Sequence, residues 1–174
     1  MHNEHSLESL LAKQAIQELV LRYCRAVDRK DYDALPALYH SDATEDHGAM
    51  FQGSAADYIR WLPSQLDNML LTVHSVSNHL IALQGECAVG EVYCQAYHRY
   101  RGPQGEEELL VGGRYLDRYR RCNGEWRFSN RQIVTDWNER RPSRSEFRSA
   151  LFAGTAVGAA LPDDVSAQLF RGLD

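Results

Sequence analysis

The chain has 174 residues, of which 19 are lysine or arginine and 24 aspartate or glutamate, for a net charge of -5. An acidic balance with 44% hydrophobic and 25% charged residues argues for one globular domain able to hold a small-molecule cavity, and against nucleic acid or an anionic membrane as partner. No apolar run reaches the length of a bilayer span, and MHNEHSLESL lacks the form of a signal peptide. The four cysteines (Cys24, Cys87, Cys94, Cys122) have no CxxC spacing and suit reduced thiols in a cytoplasmic protein.

Ser6 is placed to cap a first helix. Apolar residues then recur at Leu7, Leu10, Leu11, Ile16, Leu19, Val20, Tyr23 and Val27, the spacing of an amphipathic helix that ends on Asp28. A carboxylate is disfavoured at the negative end of a helix dipole. Asp28 is therefore either solvated beside Arg25, Arg29 and Lys30, or it holds another residue in a pocket. Asp31 predicts the cap of a short second helix carrying Leu35, Leu38 and Tyr39. The stretch HSDATEDHGAMFQG is turn-rich with room for a short strand. Ser54 caps a third helix, in which Pro63 predicts a kink or a break.

From Val73 the period changes to that of strands. VHSVSNHLIAL, AVGEVYCQAYHRYRG, LLVGGRYLDRYRR and EWRFSNRQIVTDW are four long strands joined by short turns, the last at Asn123-Gly124, so the sheet is expected to be antiparallel. Gly112-Gly113 inside the third of these predicts a bend or a close backbone approach. Residues 1–142 read as one α+β cone of helices on a bent sheet. Residues 143–174 read as a tail of two short helices and a small-residue link. Its Phe147, Leu151, Phe152, Leu169 and Phe170 predict packing over a pocket mouth or against a neighbouring subunit.

Several residues have the chemistry of a site. His74 opens the first long strand; period-2 alternation puts Asn78 on its face and His79 on the other. A carboxylate on one ring nitrogen would make the other a general base near neutral pH, and Asp28 is the candidate. His98 shares a face with Cys94 and Ala96, either aimed into a cavity or placed on a rim beside Arg99 and Arg101. Tyr23 reads as a hydroxyl donor or a core aromatic, and Arg131 as an anion stabiliser or a solvated strand arginine. His47, Met50, Phe51, Trp61, Tyr115 and Trp137 could line an aromatic-accepting cavity or belong to the core. A metal site from His47, His74, His98 and Asp28 lacks any preformed ligand spacing, and none is expected.

AIQELVLRYCRAVDRKDYDAL, HSVSNHLIAL and GGRYLDRYRRCNGEWRF followed by DW together resemble the SnoaL-like branch of the NTF2-like superfamily, over about Leu11 to Trp137. Within it the likeness is to the scytalone dehydratases, hexachlorocyclohexane dehydrochlorinases and bile-acid 7α-dehydratases. The resemblance implies helices packed in the concave face of a strongly curved antiparallel sheet. It also implies a dyad in which Asp28 orients His74 to take a proton from carbon, with Tyr23, His98 and Arg131 at assisting positions. The chain departs from that pattern at His47, where those dehydratases carry a tyrosine, and at Gly113 and Tyr115, where scytalone dehydratase carries serine and asparagine.

The expected function is a cofactor-independent lyase acting on a hydrophobic aromatic or polycyclic small molecule, with a homo-oligomer, trimer before dimer, as its assembly. An isomerase or cyclase of the same fold, a formaldehyde-releasing lyase on an aryl diol, and the non-catalytic small subunit of a ring-hydroxylating dioxygenase are the alternatives.

Overall fold

A computed structural model of the protein describes residues 6–146 and 149–169. Helix α1 runs from Leu7 to Asp28, and the Ser6 side chain accepts a hydrogen bond from the Ser9 amide as its N-cap. Its buried face runs through Ala12, Ile16, Leu19, Val20, Tyr23, Cys24 and Val27. In the first turns Leu7, Leu10 and Leu11 are exposed, because Ser9 and Ala12 are the residues that face inward there. The helix ends in a Schellman motif: the Asp31 amide bonds to the Ala26 carbonyl and the Lys30 amide to the Val27 carbonyl. Lys30 adopts φ 53° to make that turn.

The short second helix is one turn of 3₁₀ geometry, Leu35–Leu38, and lacks the side-chain cap expected from Asp31. Tyr39 already belongs to strand β1, Tyr39–Asp46, which pairs with the short β2, Gln52–Ser54. Ser54 caps helix α2, Ala55–Leu66. Pro63 does not break α2: it falls in the last turn, and the Asp67 amide still closes on the Pro63 carbonyl at 2.9 Å.

The four long strands are β3 (Met69–Gln84), β4 (Cys87–Gly102), β5 (Gly105–Cys122) and β6 (Glu125–Pro142), paired antiparallel in sequence order. The described residues form one six-stranded sheet in the order β2-β1-β6-β5-β4-β3. The expectation of a purely antiparallel sheet is corrected at one pair, because β1 runs parallel to β6. Residues 39–54 precede α2 in the chain and join the same sheet beside β6, the last strand of the meander. Asn123 and Gly124 both take positive φ (53° and 84°), the backbone that a two-residue hairpin with the natural strand twist requires.

Two irregularities bend the sheet around the helices. The β5–β6 register shifts between Gly112 and Gly113, and neither glycine has room for a side chain. A Cβ at Gly112 would strike the Trp137 indole, and one at Gly113 the Val134 carbonyl. The β3–β4 register shifts between Val76 and His79. The resulting α+β cone holds α1 and α2 in its concave face, and the core of Ile16, Leu19, Val20, Tyr23, Leu35, Tyr119 and Phe128 lies between them and the sheet.

In the tail, the described part holds a 3₁₀ turn at Ala150–Phe152 and a helix α3 of four residues, Ser166–Leu169. Phe147 and Phe170 lie outside the described residues. Leu151 and Leu169 are exposed, and no described tail residue lines the central cavity. The tail is tied to the C-terminal end of α1. The Leu161 amide bonds to the Arg29 carbonyl, and the Arg29 guanidinium donates to the Ala159 carbonyl and to Asp164.

Candidate active site

Asp28 and His74 meet. The Schellman turn fixes Asp28 at the end of α1, where β3 crosses it. The carboxylate then takes two hydrogen bonds from one residue: the His74 backbone amide donates to Oδ2 at 2.8 Å, and His74 Nδ1 lies 2.6 Å from Oδ1. These bonds compensate an anion for its place at the negative end of the helix. Both side chains are largely buried, at 9% and 11% exposure, so solvent screens the pair only weakly. With Nδ1–H held by the carboxylate, Nε2 is the basic nitrogen. Among the described residues Nε2 makes no hydrogen bond.

His98 stands beside it, its ring 5.5 Å from that of His74 and near-perpendicular to it. His98 Nδ1 lies 2.8 Å from the hydroxyl of buried Thr72. Burial, and then the neighbouring His74, lower its pKa to about 4, so it is neutral at physiological pH. A Thr72 hydroxyl donating to Nδ1 leaves Nε2–H as a donor.

That depression has a measurable consequence. Above about pH 6.5 neither the folded nor the unfolded chain is protonated at this position, and the His98 contribution to stability is fully present. Below it the unfolded chain takes up a proton that the folded chain resists until about pH 4, so stability falls as pH drops through that window. The loss is on the order of 3 kcal/mol, from about 1.4 kcal/mol per pH unit. Urea denaturation of the wild type and of His98→Gln at pH 7 and pH 4.5 checks it: the variant should lose less stability on acidification, and equal losses would exclude the assignment.

The two histidines open on a cavity of about 210 Å³. Apolar side chains from every part of the cone line it, among them Val27, Leu62, Leu66, Met69, Val111 and Ile133. Of the residues singled out from the sequence, Tyr23, His47, Met50, Trp61, His74, His98 and Tyr115 line this cavity, together with Cys94 and Ala96. Four others do not.

Asn78 is exposed, because the bulge between Val76 and His79 reverses the alternation assumed for β3. His79 is the residue turned inward, half-buried against Tyr119. Phe51 packs behind the wall against Tyr58 and Trp61. Trp137 covers Gly112 on the other face of the sheet. Arg131 is fully buried and grips Asp117 through two 2.8 Å hydrogen bonds, with its guanidinium 4.1–4.3 Å from the ring centres of Tyr23, Tyr115 and Phe128. Burial disfavours its charge, but Asp117 more than offsets this and holds its pKa well above the usual value. It supports the cavity floor and does not touch the cavity.

Three polar residues of the site escaped notice in the sequence. Tyr58 of α2 shares a 2.8 Å hydrogen bond with Tyr23 and stacks on His47 at 4.6 Å. Glu45, 1% exposed, accepts from the Tyr39 hydroxyl and lies 2.8 Å from His47 Nε2. Thr72 supports His98. Thr72 was open to detection, two residues before His74 on the same strand face. Glu45 was not, since nothing local separates a buried strand acid from its neighbours, exposed Asp42 and half-buried Asp46. Among the described residues no group of three His, Cys, Asp or Glu is arranged to hold a metal ion.

A curled sheet closed over two helices, with a polar cluster at the bottom of an apolar cavity, is the architecture of the NTF2-like superfamily. Residues 8–132 match the SnoaL-like domain, and the chain belongs to that family. Rv2910c of Mycobacterium tuberculosis H37Rv, an uncharacterized protein, is 26% identical over 128 residues, spanning 72% of this chain and 86% of that protein. Among solved structures, a type 2 hexachlorocyclohexane dehydrochlorinase (LinA) superposes with a TM-score of 0.71 at 18% identity, over 79% of this chain and 93% of the other. A provisionally assigned scytalone dehydratase from Novosphingobium aromaticivorans superposes at 0.69 and 23% identity, over 79% and 92%. At these identities the structural likeness establishes the fold. Among the described residues no helix is long and apolar enough to cross a membrane.

Proposed function

We propose that the protein is a lyase that eliminates water from a small, hydrophobic β-hydroxy carbonyl compound. The observation that carries this reading is the doubly hydrogen-bonded Asp28–His74 pair at the wall of an apolar cavity. An imidazole whose Nδ1–H is fixed by a carboxylate is suited to take a proton at Nε2. The proton of choice is one on carbon beside a carbonyl, since only such a C–H is acidic enough for this base. Neutral His98 offers a donor to the carbonyl oxygen, where negative charge develops as the proton leaves. The dehydratase and dehydrochlorinase designations of the fold neighbours agree with elimination. A cavity of about 210 Å³ favours a substrate of one or two rings over a larger polycycle.

Incubating the purified protein with cyclic and aryl β-hydroxy ketones should yield the conjugated enone, lighter by one water in the mass spectrum. A product of unchanged mass with a moved double bond would assign isomerisation instead. Failure to exceed the uncatalysed rate across the whole set would overturn the reading.

A further inference from the structure

We propose that His47, backed by Glu45, is the general acid that protonates the departing hydroxyl, so that the cavity holds two carboxylate–imidazole pairs with opposite roles. This inference rests on the elimination reading above. Abstraction of a carbon-bound proton by His74 answers only half of a dehydration. Hydroxide is a poor leaving group, and the C–O bond breaks readily only as a proton reaches its oxygen.

The second pair lies at the other end of the sheet from the first. His74 sits on β3, one terminal strand of the sheet order. Glu45 sits on β1, next to the opposite terminal strand, with His47 in the loop that follows it. The curl of the cone brings both imidazoles to one cavity. His47 is as well supported as His74. Its Nε2 lies 2.8 Å from the Glu45 carboxylate, its ring stacks on Tyr58, and its side chain is 7% exposed. Glu45 also accepts the Tyr39 hydroxyl, which fixes the carboxylate. Among the described residues His47 Nδ1 makes no hydrogen bond, so it is the nitrogen left for a substrate.

The charged and titratable groups around His47 come from three elements. Glu45 and Asp46 come from β1, Tyr58 from α2 and Tyr23 from α1, with Arg131 behind Tyr23. The two acids are nearest, whereas Arg131 is already paired with Asp117. The step balances. The C–H pair becomes the new C=C bond as its proton passes to His74 Nε2. The C–O pair leaves with oxygen, which takes the His47 proton and departs as water. His74 ends protonated and His47 neutral, and exchange with solvent resets both.

The test compares wild type, His47→Gln, Glu45→Gln and His74→Ala on two substrates, a β-hydroxy ketone and its β-fluoro or β-aryloxy counterpart with a better leaving group. His47→Gln should lose about 10²–10³-fold in kcat on the hydroxy ketone and recover most of it on the activated analogue, because that leaving group needs no proton. His74→Ala should be poor on both. Glu45→Gln, a positioning change, should follow His47→Gln at smaller amplitude and move the basic limb of the pH–kcat profile. In deuterated water, His47→Gln should still exchange the substrate's α-proton, which also shows that the variant is folded and its base intact. Equal losses on both substrates, or lost exchange, would overturn the role of His47 while leaving the lyase reading in place. Absence of elimination by the wild type on either substrate would overturn both.

Discussion

Replacing His74 with alanine is expected to lower kcat/KM by about 10²–10⁴-fold, the usual worth of one well-placed base, with the fold unchanged. Asp28→Asn should fall within the same range for a different reason. The amide keeps the volume of the carboxylate and can still accept the His74 backbone hydrogen bond, so β3 stays where it is. What disappears is the negative charge that would stabilise a His74 imidazolium in the proposed proton abstraction. The stability effects separate function from structure. Asp28 sits at the negative end of α1, so neutralising it also removes an unfavourable interaction with the helix dipole, and the variant should remain within about 1 kcal/mol of wild type. Steady-state kinetics beside thermal melts decide the matter. Two folded variants that both keep more than a tenth of the activity would remove the dyad from the mechanism.

The largest stability effect is expected at Arg131. A guanidinium and a carboxylate at 0% exposure, bonded at 2.8 Å twice over, have both lost their water and depend on each other. Removing one member of such a pair leaves the other charge buried without its counterion, at a cost of about 3–5 kcal/mol. For a chain of this size Arg131→Met should therefore lower the melting temperature by roughly 6–20 °C. Replacing both residues, with Arg131→Met and Asp117→Leu, should cost less than the sum of the two single changes, since no charge is then stranded. A single variant that melts within a degree or two of wild type would show that the pair is hydrated. Because the same guanidinium lies against Tyr23 and Tyr115, both in the cavity wall, activity should fall with stability in the single variants.

The cone was largely legible in the sequence, because its strongest signals are local. The long helix, the Ser6 and Ser54 caps and the Asn123-Gly124 hairpin each depend on neighbours in the chain. The parallel pairing of β1 with β6 was not legible, since it joins segments more than eighty residues apart and no turn announces it. Asn78 was misplaced by strict alternation: a bulge adds one residue without any glycine to mark it, and every side chain beyond it changes face. Arg131 shows a second limit. Its position after Trp126 and Phe128 suggested a site residue, yet whether an arginine reaches a cavity depends on what it meets first, and here Asp117 captures it. Asp28 was the opposite case, since a carboxylate at a helix end carries its own electrostatic oddity.

The cavity's two walls differ in how they are built. His74 and His98 stand on β3 and β4, strands of sixteen residues each, paired along nearly their whole length. His47 and Met50 stand on the hairpin between β1 and β2, and β2 is three residues long and paired on one side alone. Substitutions, insertions or deletions in that hairpin disturb few ladder bonds and leave the Asp28–His74 contact untouched. A descendant of this chain could acquire a new substrate by rewriting residues 48–51 while keeping His47 and the Asp28–His74 pair. Selection for altered chemistry at the His74 end would have to disturb the sheet itself.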